Sequence, residues 1–233
     1  MDRLTRKELK TDRFATEVGH TVEYLEEHRQ QAIRYGVIAL AVLLIAGGTY
    51  YYMRHQRGVR QQMLAEVMQI MEAPVGGATD SASHTYATQE EKDKALKASL
   101  TKLAAEHPGS GEGAIARYYL ASRLVEEGKS KEAEQLYREV ADSAGEEYAS
   151  TAKFTLAGLY ASQGKTAEAE KLLRELIAKP SVLVSKEQAT IELARVLAAG
   201  KPQEARKLLE PLRTGSSAVS RAALTEFGKL EQK

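Results

Sequence analysis

A block of six residues occurs three times in the second half of the chain, each copy 36 positions after the last. Gly128-Lys129-Ser130-Lys131-Glu132-Ala133 recurs as Gly164-Lys165-Thr166-Ala167-Glu168-Ala169 and again as Gly200-Lys201-Pro202-Gln203-Glu204-Ala205. Leu136, Leu172 and Leu208 repeat in the same register, followed by Tyr137, Leu173 and Leu209. Upstream of each Gly-Lys lies an apolar helical stretch: Leu120, Ala121 and Leu124, then Leu156, Ala157 and Tyr160, then Leu193, Ala194 and Leu197. A repeat of this length is one supersecondary unit that cannot bury its apolar face alone, so neighbouring copies must stack. The pattern predicts a helical hairpin per repeat. Gly ends the first helix by taking the left-handed conformation that other residues avoid. The Lys after it favours the negative helix end. Ser130 and Thr166 are expected to cap the second helix, and Pro202 suits a first helical turn. The small Ala133, Ala169 and Ala205 let the two helices of a hairpin approach closely.

This arrangement resembles the tetratricopeptide repeat. The second copy carries Leu156, Ala157, Tyr160, Gly164, Ala169, Leu173 and Leu176, a near-complete match to that motif. The first carries Leu120, Ala121, Leu124, Gly128, Ala133, Tyr137 and Val140. The third departs: Leu193, Ala194 and Leu197 sit one residue late against Gly200, which implies a shortened turn between its helices. The resemblance implies an all-α fold, an α-solenoid of such hairpins over residues 113–214. A degenerate repeat is expected before it within 54–112, with Leu64, Ala65 and Met68 in its first helix and Leu96, Leu100 and Leu103 in its second. Between those helices, residues 73–88 are small, polar and punctuated by Gly and Pro, and read as a flexible insertion. Residues 215–233 are expected to form a terminal capping helix, which a solenoid needs over its last apolar face. Residues 89–233 are expected to fold without the segments before them.

Nearer the N-terminus, Tyr35 to Met53 form a run of 19 residues without a charge. As a helix it is about 28 Å long at about 1.5 Å per residue, close to the roughly 30 Å hydrocarbon core of a bilayer. Arg34 and Arg54 bracket it, and Tyr35 at one end and Tyr50, Tyr51 and Tyr52 at the other sit where an interfacial aromatic belt belongs. The run follows 34 polar residues and no A-x-A site comes after it, so it reads as an uncleaved transmembrane signal anchor rather than a signal peptide. The tail before it holds seven basic residues: Arg3, Arg6, Lys7, Lys10, Arg13, Arg29 and Arg34. The positive-inside rule then places residues 1–34 in the cytoplasm and the C-terminal domain outside. Phe14, Val18, Val22 and Leu25 give that tail one apolar helical face.

A short tail, one span and a helical link leading into such repeats is similar in layout to the YfgM-like family of single-span bacterial membrane proteins. That resemblance implies an inner-membrane location with a periplasmic repeat domain. It also implies partners at the Sec translocon or among periplasmic chaperones.

Chemistry is sparse. There is no Cys, which excludes disulfides, thiolate metal sites and cysteine nucleophiles. The His residues at 20, 28, 55, 84 and 107 have no metal-ligand spacing, and no Ser sits in a Gly-x-Ser-x-Gly elbow. Gly109-Ser110-Gly111-Glu112-Gly113 spaces its glycines like a phosphate cradle, but no strand precedes it and no Lys-Ser/Thr follows, so it reads as an inter-repeat turn. The formal net charge of +1 leaves no basic surplus for nucleic acid. Neither an enzyme nor a cofactor is expected.

Binding is expected on the wall made by the first helices. Tyr118, Ser122 and Val125 share one face, apart from the packing face of Leu120, Ala121 and Leu124, and Phe154, Gly158 and Ala161 repeat them one period on. The two aromatics either form a shelf for a peptide or helix of a protein partner, or pack between hairpins. The functional expectation is a membrane-tethered module that captures a protein partner, with a self-associating envelope scaffold as the alternative.

Overall fold

The computed structural model describes residues 29–76, 85–214 and 217–231. The expected helical face in the tail, Phe14 to Leu25, lies outside the described residues. Contacts divide the chain into two units, one up to Gly58 and one from Val59 onward. The first described element is a single helix, α1 (Arg29–Glu72), of 44 residues. It is long and apolar enough to cross a membrane. The run 35–53 is therefore a stretch of one longer helix, which continues without a break past the expected boundary at residue 54. Its large side chains are uncovered: Leu43 and Leu44 are each 68% exposed and Ile45 69%.

In the second unit α1 is followed by α2 (Gln89–Glu106), α3 (Gly111–Glu126), α4 (Ser130–Ser143), α5 (Glu146–Ser162), α6 (Thr166–Ala178), α7 (Lys186–Leu197) and α8 (Pro202–Leu209). A 3-10 turn (Glu210–Leu212) leads to α9 (Ala218–Glu231). The described residues of the second unit form an all-helical solenoid, with α3–α4, α5–α6 and α7–α8 as three consecutive hairpins that pack in chain order. Helix α9 packs on α7 and α8, where Ala223, Phe227 and Leu230 are buried.

The period is physical as well as textual. Ala133, Ala169 and Ala205 are fully buried, and Tyr137, Leu173 and Leu209, the residues after the repeated leucines, are fully buried with them. Leu136, Leu172 and Leu208 are only partly covered. The first two turns close as the glycines require. Gly128 has φ +76° and Gly164 +73°, and the amides of Lys129 and Lys165 donate back to the carbonyls of Leu124 and Tyr160 at 2.8 and 2.9 Å. This is the glycine-terminated helix end in which a left-handed residue lets the chain satisfy orphan carbonyls. Gly200 takes no such conformation: the third turn is one residue shorter, and Lys201 N–H donates to Leu197 O at 2.7 Å instead.

One local expectation is corrected. Ser130 and Thr166 do not cap the second helices. Lys129 and Lys165 occupy the cap positions, without a side-chain cap bond, and Ser130 and Thr166 are already the first helical residues. The left-handed glycine turns the chain so sharply that no position is left between it and the helix except the lysine. The three lysines do not act alike: Lys129 Nζ stays at the end of α3, 2.6 Å from Glu127, while the other two reach across. Lys165 Nζ reaches Glu134 at 3.0 Å and Lys201 Nζ reaches Glu170 at 2.9 Å, each glutamate belonging to the preceding second helix. The hydrogen bond from Lys165, with help from Arg138, holds the Glu134 carboxyl below its ordinary range. Lys201 and then Arg174 do the same for Glu170. The outcome is a ladder that ties one hairpin to the next.

The degenerate repeat also differs in register. Val67 and Ile70 are its buried residues on α1 and form one cluster with Leu96, Leu100, Leu103 and Ala116, against which Leu64 packs partly buried. Ala65 is exposed, because large side chains rather than a small one fill this contact. A cut at 89 would take Val67 and Ile70 away from Leu96, Leu100 and Leu103, and a fragment that keeps this cluster whole starts near Val59, where the unit begins. The ends of the expected insertion 73–88 are fixed in place. Gly76 N–H donates to Tyr86 O at 3.1 Å and Tyr86 N–H to Pro74 O at 3.3 Å, while Lys92 Nζ donates to the Met71 and Ala73 carbonyls that end α1, at 2.8 and 2.7 Å.

Candidate functional site

Three first helices, α3, α5 and α7, lie side by side because each second helix holds its own hairpin at nearly the same offset. Their neighbouring faces form a groove of about 510 Å³. Ser122, Val125 and Glu126 come from α3, Phe154, Gly158 and Leu159 from α5, Glu192 from α7, with Tyr137 at the base from α4. Four of the six residues singled out in the sequence, Ser122, Val125, Phe154 and Gly158, therefore line one cavity.

The other two do not. Tyr118 is turned into the joint between hairpins. Its hydroxyl is 3.0 Å from Thr155 Oγ1 on α5, and its ring meets that of Tyr137 edge-on, with centroids 5.4 Å apart. Ala161 is partly buried against the core. Tyr118 and Phe154 are thus equivalent in sequence and both partly buried against the core, but only Phe154 also lines the groove. The difference arises at Thr155, whose hydroxyl gives the Tyr118 phenol a partner inside the joint.

The floor is held rigidly. Ser122 Oγ lies 2.8 Å from the Tyr137 hydroxyl and donates to Tyr118 O at 3.2 Å. Burial pushes the Tyr137 phenol up, against the lowering effect of the Ser122 bond, so it stays neutral over the physiological range. Beside Phe154, one helical turn on, a Cβ placed at Gly158 would meet nothing within 4 Å. The glycine leaves an open slot next to an aromatic ring. Aromatic anchors beside a slot of that kind are the usual material of a protein-binding hot spot.

Separate truncations are expected to divide the two rings. Tyr118→Ala should lower stability by about 2 kcal/mol, as loss of a half-buried aromatic does, and reduce capture only through stability. Phe154→Ala should weaken capture of a partner at least tenfold with a smaller fall in melting temperature. Thermal melts of both variants, set beside crosslinking yield, check the division.

Sequence reasoning missed Glu126, Tyr137, Thr155, Leu159, Ser162 and Glu192, all of which line the groove. One signal was present. With the one-residue shift of the third repeat, Glu192 aligns with Thr155 just as Leu193 aligns with Leu156. Tyr137 carried no such signal, since it belongs to a second helix and reaches the groove from beneath. Among the described residues no cluster of His, Cys, Asp and Glu is arranged to hold a metal ion. The Gly109–Gly113 stretch is a turn into α3: Ser110 caps the helix by accepting from Gly113 N–H at 3.0 Å.

Comparison with known proteins agrees with this architecture. A family model described as a tetratricopeptide repeat-like domain matches residues 27–179, and a second, described as a tetratrico peptide repeat, matches residues 150–231. No curated protein matches the chain. Two solved structures of a Podosopora anserina protein, described as a putative kinesin light chain with nearly identical TPR-like repeats, share the fold. One, a single-substitution variant, is 21% identical with a TM-score of 0.52, covering 62% of this chain and 79% of that one. The other is 22% identical with a TM-score of 0.51, covering 62% and 80%. The first family match spans more than half of the sequence, and with stacked hairpins closed by left-handed glycines and buried alanines, the chain belongs to the tetratricopeptide repeat-like domain family.

Proposed function

We propose that this protein is a membrane-anchored interaction module that captures a segment of a protein partner in the groove between α3, α5 and α7. The observation that carries the reading is the groove itself, with Phe154 as an aromatic anchor beside the open slot at Gly158. Repeat solenoids offer extended concave surfaces of this kind to their partners.

Anchoring is supported by the uncovered apolar stretch of α1. With residues 1–34 in the cytoplasm and 35–53 in the bilayer, residues 54–233 lie at the extracytoplasmic surface of a bacterial inner membrane. Within them, 113–214 hold the three repeats and 215–233 the cap. The YfgM-like layout favours partners at the protein-export machinery or among periplasmic chaperones. A tether of this sort raises the effective concentration of the module for anything that emerges at the membrane, so contacts of modest affinity suffice.

The test is site-specific photocrosslinking in intact cells, with a benzophenone side chain at position 154 of the full chain. A heterologous adduct is expected. Gly158→Leu should abolish it while leaving the melting temperature unchanged or higher, because a Cβ there meets nothing within 4 Å and Leu is a better helix former than Gly by up to about 1 kcal/mol. An adduct that survives Gly158→Leu sinks the groove as the binding site. Adducts only between copies of this chain favour the scaffold alternative.

A further inference from the structure

The charges around the groove narrow the chemistry of what enters it. The middle is apolar, with Val125, Phe154 and Leu159, and its two ends carry Glu126 and Glu192. Among the described residues no Lys or Arg lines it. Each of the two carboxylates is paired with an arginine three residues away on its own helix, Glu126 with Arg123 at 2.7 Å and Glu192 with Arg195. Both guanidinium groups are divided. Arg123 also pairs with Asp93, and Arg195 also pairs with Glu226 at 3.1 Å. Glu226 has a cation of its own in Lys229, at 3.0 Å. Four carboxylates in and beside the groove thus share three cations, none of which is among the residues that line it.

An acidic segment laid there meets two carboxylates before any cation. A basic one meets them first and completes the pairing that Arg123 and Arg195 share with others. Electrostatic fit of this kind sets the choice of partner and the rate of capture more than the bare affinity.

Resting on the groove as the binding site, we infer that its occupant is a basic-apolar segment of a protein chain: an apolar side chain seated against Phe154 in the slot at Gly158, with Lys or Arg within a few residues on either side to meet Glu126 and Glu192. The segment's cations lie toward the rim, where Glu126 is well exposed, while the more enclosed Glu192, with a side chain 16% exposed, marks the deeper end.

The experiment reads the adduct formed at position 154 of the full chain in its membrane. Mass spectrometry of the crosslinked peptide is expected to place a Lys or Arg within four residues of the attachment point. The pair Glu126→Gln with Glu192→Gln should cut adduct yield about tenfold. Arg195→Gln removes the competing guanidinium and should raise it. These opposite responses separate a charge effect from a loss of folding, which lowers yield in every variant. A crosslinked segment without basic residues, or an acidic one, overturns the inference and leaves the groove as the site. So does a yield that falls equally in the glutamine pair and in Arg195→Gln. An adduct that persists in Gly158→Leu, or no adduct at all, removes the groove reading and this inference together.

Discussion

Gly113→Ala is expected to be among the most damaging single methyl additions in the repeat domain. A Cβ at this position would lie 2.0 Å from the backbone oxygen of His107 and 2.9 Å from its carbon. The carbonyl cannot turn aside without loss, because it accepts from Ser110 N–H at 3.1 Å and from Ser110 Oγ at 3.0 Å. Those bonds fix the corner where α2 hands over to α3. In a helix Ala is favoured over Gly by up to about 1 kcal/mol, so propensity alone predicts stabilisation. The clash is with backbone, not with a flexible side chain, and overpacking of that sort costs about 3 kcal/mol. The net expectation is a loss of about 2 kcal/mol, or a melting temperature lower by roughly 6 °C for a chain of this size. Gly111→Ala is the matched control, since its added methyl meets nothing within 4 Å. Equal melting temperatures for the two variants would mean that the corner yields.

Ala169→Leu carries the second large effect. Ala169 is fully buried, in one core cluster with Leu156, Ala157 and Leu173. Three added carbons have no space where the two helices of the second hairpin meet, and the cost is expected near the top of the range for overpacked cores, about 3 kcal/mol. Ala167→Leu, two residues away on the exposed face of α6, should be neutral within about 0.5 kcal/mol. Thermal melts of the full chain in detergent give both values. A neutral Ala169→Leu would put the residue on the outside of the hairpin and undo the repeat register.

The two substitutions differ in how far the sequence alone foretold them. Ala169 was legible, because its periodicity with Ala133 and Ala205 and the leucines around it already marked a helix contact. Gly113 was legible only as a turn residue, since the atom that forbids a methyl there, His107 O, lies outside its own helix and is brought close by folding. The same distinction runs through the candidate site. Phe154, Gly158, Ser122 and Val125 follow from reading one face of a helix at a spacing of 36. Glu192 and Tyr137 arrive from helices whose distance from that face no local pattern encodes.

What the sequence by itself determined was therefore the repeating unit: hairpins of period 36, left-handed glycines at 128 and 164, small residues at the close contacts, and one apolar stretch long enough for a bilayer. Each depends on neighbours a few residues away, and short-range sterics and helical periodicity fix it. Only the tertiary structure decided which side chains meet across hairpins. It turned Tyr118 inward toward Thr155 and left Phe154 at the groove. It sent Lys165 and Lys201 to the glutamates of the preceding hairpin and made Val67 and Ile70 the buried residues of α1 beside Leu100, with Ala65 left exposed. Those choices rest on the offset between stacked helices, a sum of many side-chain volumes at once, and no window of sequence a single helix long contains it.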